Sequence, residues 1–356
     1  MRSITGGTDV DGTWAPVIDL VIDPFDVDTL YACINNVGLF VTTDAGRNWW
    51  LKGEIAATGW SVDRIFPQPC DTESFYALTF GWLIGARNAQ RGGRLLTRGL
   101  PALVDNLFVA GPGGSVLYAA TWDGLYGSSD RGRSWRKVHP RPGGGEEPYA
   151  AAVDPADPLR VAVASDGVIL TTSDGGLSWQ GRSTQFAKRD VATLAFGHAG
   201  SNVLLIAVVD PDLYQYIVYR SVDLGATWLQ VGEPVTYGWS NLSQLLTHPL
   251  DPETLFAVTS DAVFQIRLGE SRWQRSGPRV SPESFLFDPF DSNTLFLASS
   301  SGIFRSIDAG VTWSDMSEEW PGTPRRIRQF VVHPAWQGLF YVVSDYGVFR
   351  LSQLRR

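Results

Sequence analysis

Carboxylates, aromatic rings and guanidiniums gather in the stretches between predicted strands, and each type could do a different chemistry. Asp63 and Glu283 are an acid pair that could serve glycoside hydrolysis, which needs two carboxyls roughly 5 to 10 Å apart across a cleft. Trp60, Trp82, Trp122, Tyr149, Tyr214, Trp239 and Tyr346 offer rings on which a sugar or a peptide side chain can stack, with Asp190 interleaved among them. Arg64, Arg189, Arg326 and Arg328 could clamp a carboxylate, Arg325 standing beside the last two. The four histidines and two cysteines show neither zinc-ligand spacing nor a nucleophile triad, and no glycine loop precedes a helix to cradle phosphate. No metal and no cofactor is therefore expected. Cys33 falls in a predicted buried strand and Cys70 in a turn, which reads as two separate thiols.

These residues must be held by something, and the chain repeats the device that holds them. Ser306–Trp313 reads S-I-D-A-G-V-T-W, and the pattern recurs at Thr42–Trp49, Ser128–Trp135, Thr172–Trp179 and Ser221–Trp228. A short apolar strand precedes each copy and another follows, so the element reads as a β-hairpin turn. The aspartates Asp44, Asp130, Asp174, Asp223 and Asp308 can accept backbone N–H groups, and the glycine two places on can take a positive φ. The Ser or Thr hydroxyl can bond to the turn, and Trp49, Trp135, Trp179, Trp228 and Trp313 can anchor the hairpin to its neighbours.

The pattern S/T-x-D-x-G-x-S/T-W is that of the Asp-box, so the chain resembles the Asp-box, or BNR-repeat, β-propellers. That group includes sialidases, sortilin-type ectodomains, two-domain xyloglucanases and proteins of the photosystem II assembly-factor type. Four copies match at every fixed position; the first has Asn48 in place of Ser or Thr. The resemblance implies an architecture and leaves function open, because these families do unrelated things with one scaffold.

Repeat spacing extends the count. The first and last intervals between motif aspartates are each about twice the middle ones, so two repeats have lost their motif, one near Ala86–Leu95 and one at Ile266–Trp273, where Leu268 stands at the Asp position. A second half-unit, an apolar strand, a D-P or H-P turn and another strand, recurs from Leu20, Ala151, Leu245, Phe285 and Phe330. Repeats then start near Val17, Val62, Leu103, Tyr149, Val191, Leu242, Glu283 and Ile327. The expected fold is all-β: residues 1–356 form a single closed propeller of eight four-stranded blades, with seven as the alternative. The last repeat lacks an outer strand, and residues 1–14, with Asp11–Trp14 reading D-G-T-W, are expected to supply it and close the ring.

In such blades the D-P turns and the repeated motifs share one end, where their carboxylates read as turn hardware. The acids, rings and arginines of the opening paragraph share the other. Alignment of the innermost strands places Asp19, Arg64, Asn106, Ala150, Leu194, Gln244, Ser284 and Gln329 at one position, six of them polar, as a channel wall or a ligand site would be. Val209–Tyr216 lengthens one loop into a lip.

A formal charge of −8 argues against nucleic acid and anionic membrane as partners. No apolar leader or run of about 18 apolar residues occurs, so the chain as written reads as cytoplasmic and not membrane-inserted, or as extracytoplasmic if a leader has been removed. A monomer is expected. Arg64 in D-R-I-F-P, with Arg189 and Arg328, makes at most a scrambled sialidase-like arginine set. The expectation is a non-enzymatic binding or assembly module that takes a protein segment or polar ligand at the loop end; the alternative is a glycan-active hydrolase or carbohydrate-binding propeller.

Overall fold

In a computed structural model the chain folds as an eight-bladed all-β propeller with no α-helix among the described residues. Those residues are 2–5, 16–23, 26–34, 37–53, 62–67, 74–87, 94–96, 98–100, 103–110, 114–140, 150–165, 168–183, 186, 190–210, 212, 215–236, 241–316 and 326–352. No helix among them is long and apolar enough to cross a membrane.

After β1 (Arg2–Thr5), the first blade runs β2 (Val17–Ile22), β3 (Leu30–Ile34), β4 (Gly38–Thr42) and β5 (Trp50–Gly53). The second is β6 (Arg64–Pro67), β7 (Ser74–Thr79), β8 (Trp82–Arg87) and β9 (Arg94–Leu95). The third is β10 (Val104–Ala110), β11 (Val116–Thr121), β12 (Gly124–Ser128) and β13 (Arg136–Pro140). The fourth is β14 (Ala150–Val153), β15 (Val161–Ser165), β16 (Val168–Thr172) and β17 (Gln180–Ser183). The fifth is β18 (Val191–Phe196), β19 (Leu204–Asp210), β20 (Gln215–Ser221) and β21 (Leu229–Gln230), with β22 (Val235–Thr236) also pairing β20. The sixth is β23 (Leu242–Thr247), β24 (Thr254–Thr259), β25 (Val263–Arg267) and β26 (Gln274–Ser276). The seventh is β27 (Pro282–Phe287), β28 (Leu295–Ser299), β29 (Gly302–Ser306) and β30 (Ser314–Asp315). The eighth is β31 (Ile327–Val332), β32 (Leu339–Ser344) and β33 (Gly347–Ser352), completed by β1.

The chain divides into two compact units. One comprises Met1–Arg98, Pro112–Gly114 and Pro282–Arg356; the other comprises Gly99–Gly111 and Ser115–Ser281. Each holds four blades. The second strand of a blade is covered on both faces, which is why β3, β24 and β28 are buried along their whole length and read as near-continuous apolar runs. Cys33 is one such core residue, a free thiol that burial, with Asp19 and Asp63 nearby, pushes up to about 12.

The repeated turn keeps a common core of hydrogen bonds in all five copies. In the fourth, Ser221 Oγ donates to Asp223 Oδ1 (2.8 Å) and accepts from Gly225 N (2.7 Å), while Asp223 accepts from Thr227 N (2.8 Å) and Thr227 Oγ1 (2.7 Å). At the variant copy the Asn48 amide replaces the hydroxyl, donating to Asp44 Oδ2 at 2.7 Å, so the departure from the pattern keeps its chemistry. Sequence reasoning assigned a positive φ only to the glycine. The residue before it is left-handed too: Ala45, Arg131, Leu224 and Ala309 have φ between 55° and 61°. A tie inside the blade accounts for this conformation, since the Ala45, Leu224 and Ala309 amides donate to Asp28, Asn202 and Asn293 carbonyls in the first turn of their own blades. At the worn sixth copy Glu270 Oε2 accepts from Arg267 N instead, and the Trp273 indole still donates to Val231 O (3.2 Å). The D-P and H-P turns are one device, in which Asp154 Oδ1 accepts from Ala156 N and His333 Nδ1 from Trp336 N, both at 2.9 Å.

In the unit that joins both ends of the chain, the blades are stitched along their innermost strands. Ser284 Oγ accepts from Phe330 N (3.1 Å), Gln329 Oε1 accepts from Leu20 N while its Nε2 donates to Leu20 O (both 3.0 Å), and Asp19 Oδ2 accepts from Ile65 N (2.9 Å). Three of the aligned polar positions are thus latches between neighbouring blades, not free ligand groups. Strand pairing also corrects the alignment: Thr193, paired with Ala207, occupies the position of Asp19, and Leu194 lies one residue beyond. Gln329→Leu should leave the Leu20 N–H and C=O unpaired and lower stability by about 1–3 kcal/mol; equilibrium denaturation of the variant measures it, and an unchanged midpoint would contradict the latch.

Candidate functional site

Antiparallel blades send the β2–β3 and β4–β5 type turns to one end and the β3–β4 type turns to the other. Two features fix side chains at this second end. The first is a β-bulge near the start of the innermost strand, between Val104 and Asn106, Leu242 and Gln244, Pro282 and Ser284, and Ile327 and Gln329. A bulge adds one residue and re-aims its side chain. Glu283 and Arg328 are two such residues, both exposed.

The second feature is backbone strain just ahead of the eighth blade. Arg326 has a φ of 61°, and its amide donates to Ser300 O (3.1 Å) in the turn between β28 and β29. Arg326 and Arg328 then converge on one carboxylate: Arg328 Nε donates to Asp345 Oδ1, and an Arg326 guanidinium nitrogen lies 3.6 Å from Asp345 Oδ2. Among the described residues, two guanidiniums sharing one carboxylate leave one uncompensated positive charge, with half-exposed Tyr346 on the same β32–β33 turn. A ligand carboxylate could be received there.

Asp63 and Glu283, the acids that could serve hydrolysis, stand on different blades of this unit. Asp63 Oδ2 accepts from Phe80 N (2.7 Å), while Glu283 has no hydrogen bond or ion pair among the described residues. The first and eighth blades stand between theirs, since β6 packs on β2, β2 on β32, and β31 on β27. Arg64 is exposed, its guanidinium 5.3 Å from the centre of the Phe66 ring. Asp19 is an acid of this unit whose pKa burial raises, against the opposing pull of the Ile65 N–H and Arg64.

In the other unit Trp122 is exposed beside Asp123, whose carboxylate is taken by the Tyr126 hydroxyl and by Lys137 Nζ (2.9 Å). Asp190 is exposed and accepts from Val209 N (2.8 Å) through its carbonyl. The expected lip is a longer hairpin, paired as far as Asp210 with Gln215 and flanked by β22. Trp60, Cys70, Tyr149, Arg189, Tyr214, Trp239, Arg325 and the Asp11–Trp14 segment lie outside the described residues. Among the described residues no group of three His, Cys, Asp or Glu side chains could hold a metal ion. Sequence reasoning passed over Phe80, although the T-F-G-W run at Thr79–Trp82 places an aromatic in a two-residue turn.

No family model matches this chain. A xyloglucanase of Paenibacillus sp is 26% identical over 366 residues, covering 90% of this chain and 32% of that protein. A xyloglucanase of Hypocrea jecorina is 22% identical over 307 residues, covering 81% and 34%. The chain thus spans about a third of the length of the curated relatives it matches. Among solved structures, Chaetomium thermophilum Sqt1 bound to the N-terminus of ribosomal protein L10 aligns with a TM-score of 0.66 at 14% identity, over 95% of this chain and 97% of that one. YCF48 bound to D1 peptide aligns with a TM-score of 0.52 at 11% identity, over 99% and 95%. At such identities these likenesses show the fold alone.

Proposed function

We propose that the repeated turns are Asp-boxes and that the chain is a non-enzymatic binding propeller, taking a protein segment that carries a free carboxylate at the Arg326–Arg328–Asp345 cluster. The carrying observation is the pair of exposed arginines set by a strained residue and a bulge around a single carboxylate. The motif turns at the opposite end use their carboxylates on their own backbone. Two solved neighbours, YCF48 bound to D1 peptide and Sqt1 bound to the N-terminus of ribosomal protein L10, are in keeping with this reading. In fluorescence titrations an acidic peptide with a free C-terminus should bind the chain, and the Arg326→Ala, Arg328→Ala double variant should bind it at least about tenfold more weakly. Equal affinity for both proteins would overturn the assignment.

A glycan-active role is the second reading, favoured by the xyloglucanase relatives. Asp63 and Glu283 would be its acids. Release of reducing ends from xyloglucan, abolished by Asp63→Asn or Glu283→Gln, would replace the first reading with this one.

A further inference from the structure

The turn between β7 and β8 breaks the rules of its own geometry. Thr79 pairs with Trp82, so the loop is two residues long, and both have positive φ, 46° at Phe80 and 77° at Gly81. That is a type I′ turn, whose first position favours Asn, Asp or Gly and resists a bulky aromatic. Phe80 buries little there, being 65% exposed, and Trp82 is 49% exposed. Among the described residues neither ring meets another ring or a cation, and the Trp82 indole N–H has no acceptor. The turn is nevertheless held firmly. Asp63 Oδ2 accepts from Phe80 N at 2.7 Å, and Asp63 N donates to Leu78 O at 2.8 Å. A strained, largely exposed aromatic that is pinned by a carboxylate contributes little burial to the fold, and strain of this kind collects at ligand clamps.

We propose that Phe80 and Trp82 form a docking ridge for an extended, proline-rich peptide segment. Three features select that occupant. The Cα atoms of the two residues are at most about 7 Å apart, within the roughly 9 Å that one turn of a polyproline II helix spans. Such a helix has no internal hydrogen bonds, so its carbonyls can accept the unused Trp82 N–H, and its rings stack on exposed aromatics at low entropic cost. Exposed Asp63 and Arg64 flank the ridge and supply a polar border around an aromatic centre. A sugar would be served less well, because Phe80 brings no polar handle to a hydroxyl-rich ligand.

This inference rests on the reading that the loop end of the blades binds a protein segment, and its test separates the two. A proline decapeptide and a cello-oligosaccharide are titrated against the intact chain, Phe80→Asn and Trp82→Ala. Asn suits the left-handed turn, so Phe80→Asn should melt at the same or a higher temperature while binding the decapeptide at least about tenfold more weakly, and Trp82→Ala should match that loss. A lower melting temperature for Phe80→Asn would make Phe80 a structural residue and overturn the proposal, as would equal decapeptide binding by all three proteins or binding of the oligosaccharide in place of the peptide. Failure here alongside arginine-dependent binding of the acidic peptide would discard the ridge and leave the proposed function standing.

Discussion

Removal of residues 1–5 should leave a protein that aggregates at concentrations where the full chain stays dispersed. The eighth blade draws its outer strand from the start of the chain, with Arg2 to Thr5 paired to Arg350 to Gly347 in antiparallel register. Four paired residues at about 1 kcal/mol per ladder bond amount to a loss on the order of 4 kcal/mol. The freed edge of β33 then offers unpaired N–H and C=O groups to another chain. The rest of the seam remains: Gln329 on Leu20, His333 Nε2 on Val27 O (2.9 Å), and the Tyr341 hydroxyl and Arg350 Nε on Ala45 O (3.0 and 2.9 Å). The truncated chain should therefore fold at low concentration with a reduced melting temperature, and a synthetic peptide of residues 1–5 should restore part of the difference. Light scattering and thermal melts check this, and an unchanged melting temperature would place the closing contact elsewhere.

Acid should destabilise the fold in two steps whose signs follow from the pKa shifts. His333 is held neutral because burial outweighs the Val27 carbonyl that favours its charged form, and its Nδ1 lone pair already accepts two turn N–H groups. Burial lowers His139 too, with Lys137 adding to the effect. A lowered histidine pKa means the unfolded chain takes up the proton first, so stability begins to fall below about pH 6.5. The second step belongs to the motif aspartates. Burial alone would raise Asp44, but hydrogen bonds from Asn48, Thr42 and Arg47 bring it to about 2. Bonds from Ser134 bring Asp130 to about 2, and bonds from Thr227 do the same for Asp223, while Asp174 and Asp308 move in the same direction. Depressed carboxylates stabilise above their unfolded value near 4 and lose that contribution as pH falls towards 2. Solvent screening limits Asp44, Asp130 and Asp223 to about 0.5–1 kcal/mol each. Asp19, raised by burial, works the other way and softens the acid loss slightly. Denaturation midpoints from pH 8 to pH 2 should show both steps, the second shallower in Asp130→Asn, Asp223→Asn; a flat profile down to pH 3 would contradict the assigned bonds.

Eight blades could be counted from five motifs and their spacing because the motif's job is local. Asp223, Gly225 and Thr227 find their partners within a few residues, so the sequence carries the whole instruction for the turn. The worn sixth copy was legible from the repeat spacing and the surviving Trp273. The ring of polar inner-strand residues was legible as a pattern but not as a role. Gln329 and Leu20 are 309 residues apart, and nothing in either neighbourhood says that they meet.

Candidate ligand groups were harder to read because exposure and partnership are tertiary quantities. Asp63 and Glu283 looked alike as acids beside strands, yet one is committed to a turn amide two strands away and the other stands on a bulge with no partner among the described residues. By itself the sequence determined what short-range hydrogen bonding and strand periodicity can write: the turns, the strand pattern and the number of repeats. Only the tertiary structure decided which polar groups are spent on neighbouring blades, which arginines share Asp345, and that Phe80 is left strained and bare, because those outcomes depend on contacts between residues far apart in the chain and on backbone angles that composition does not specify.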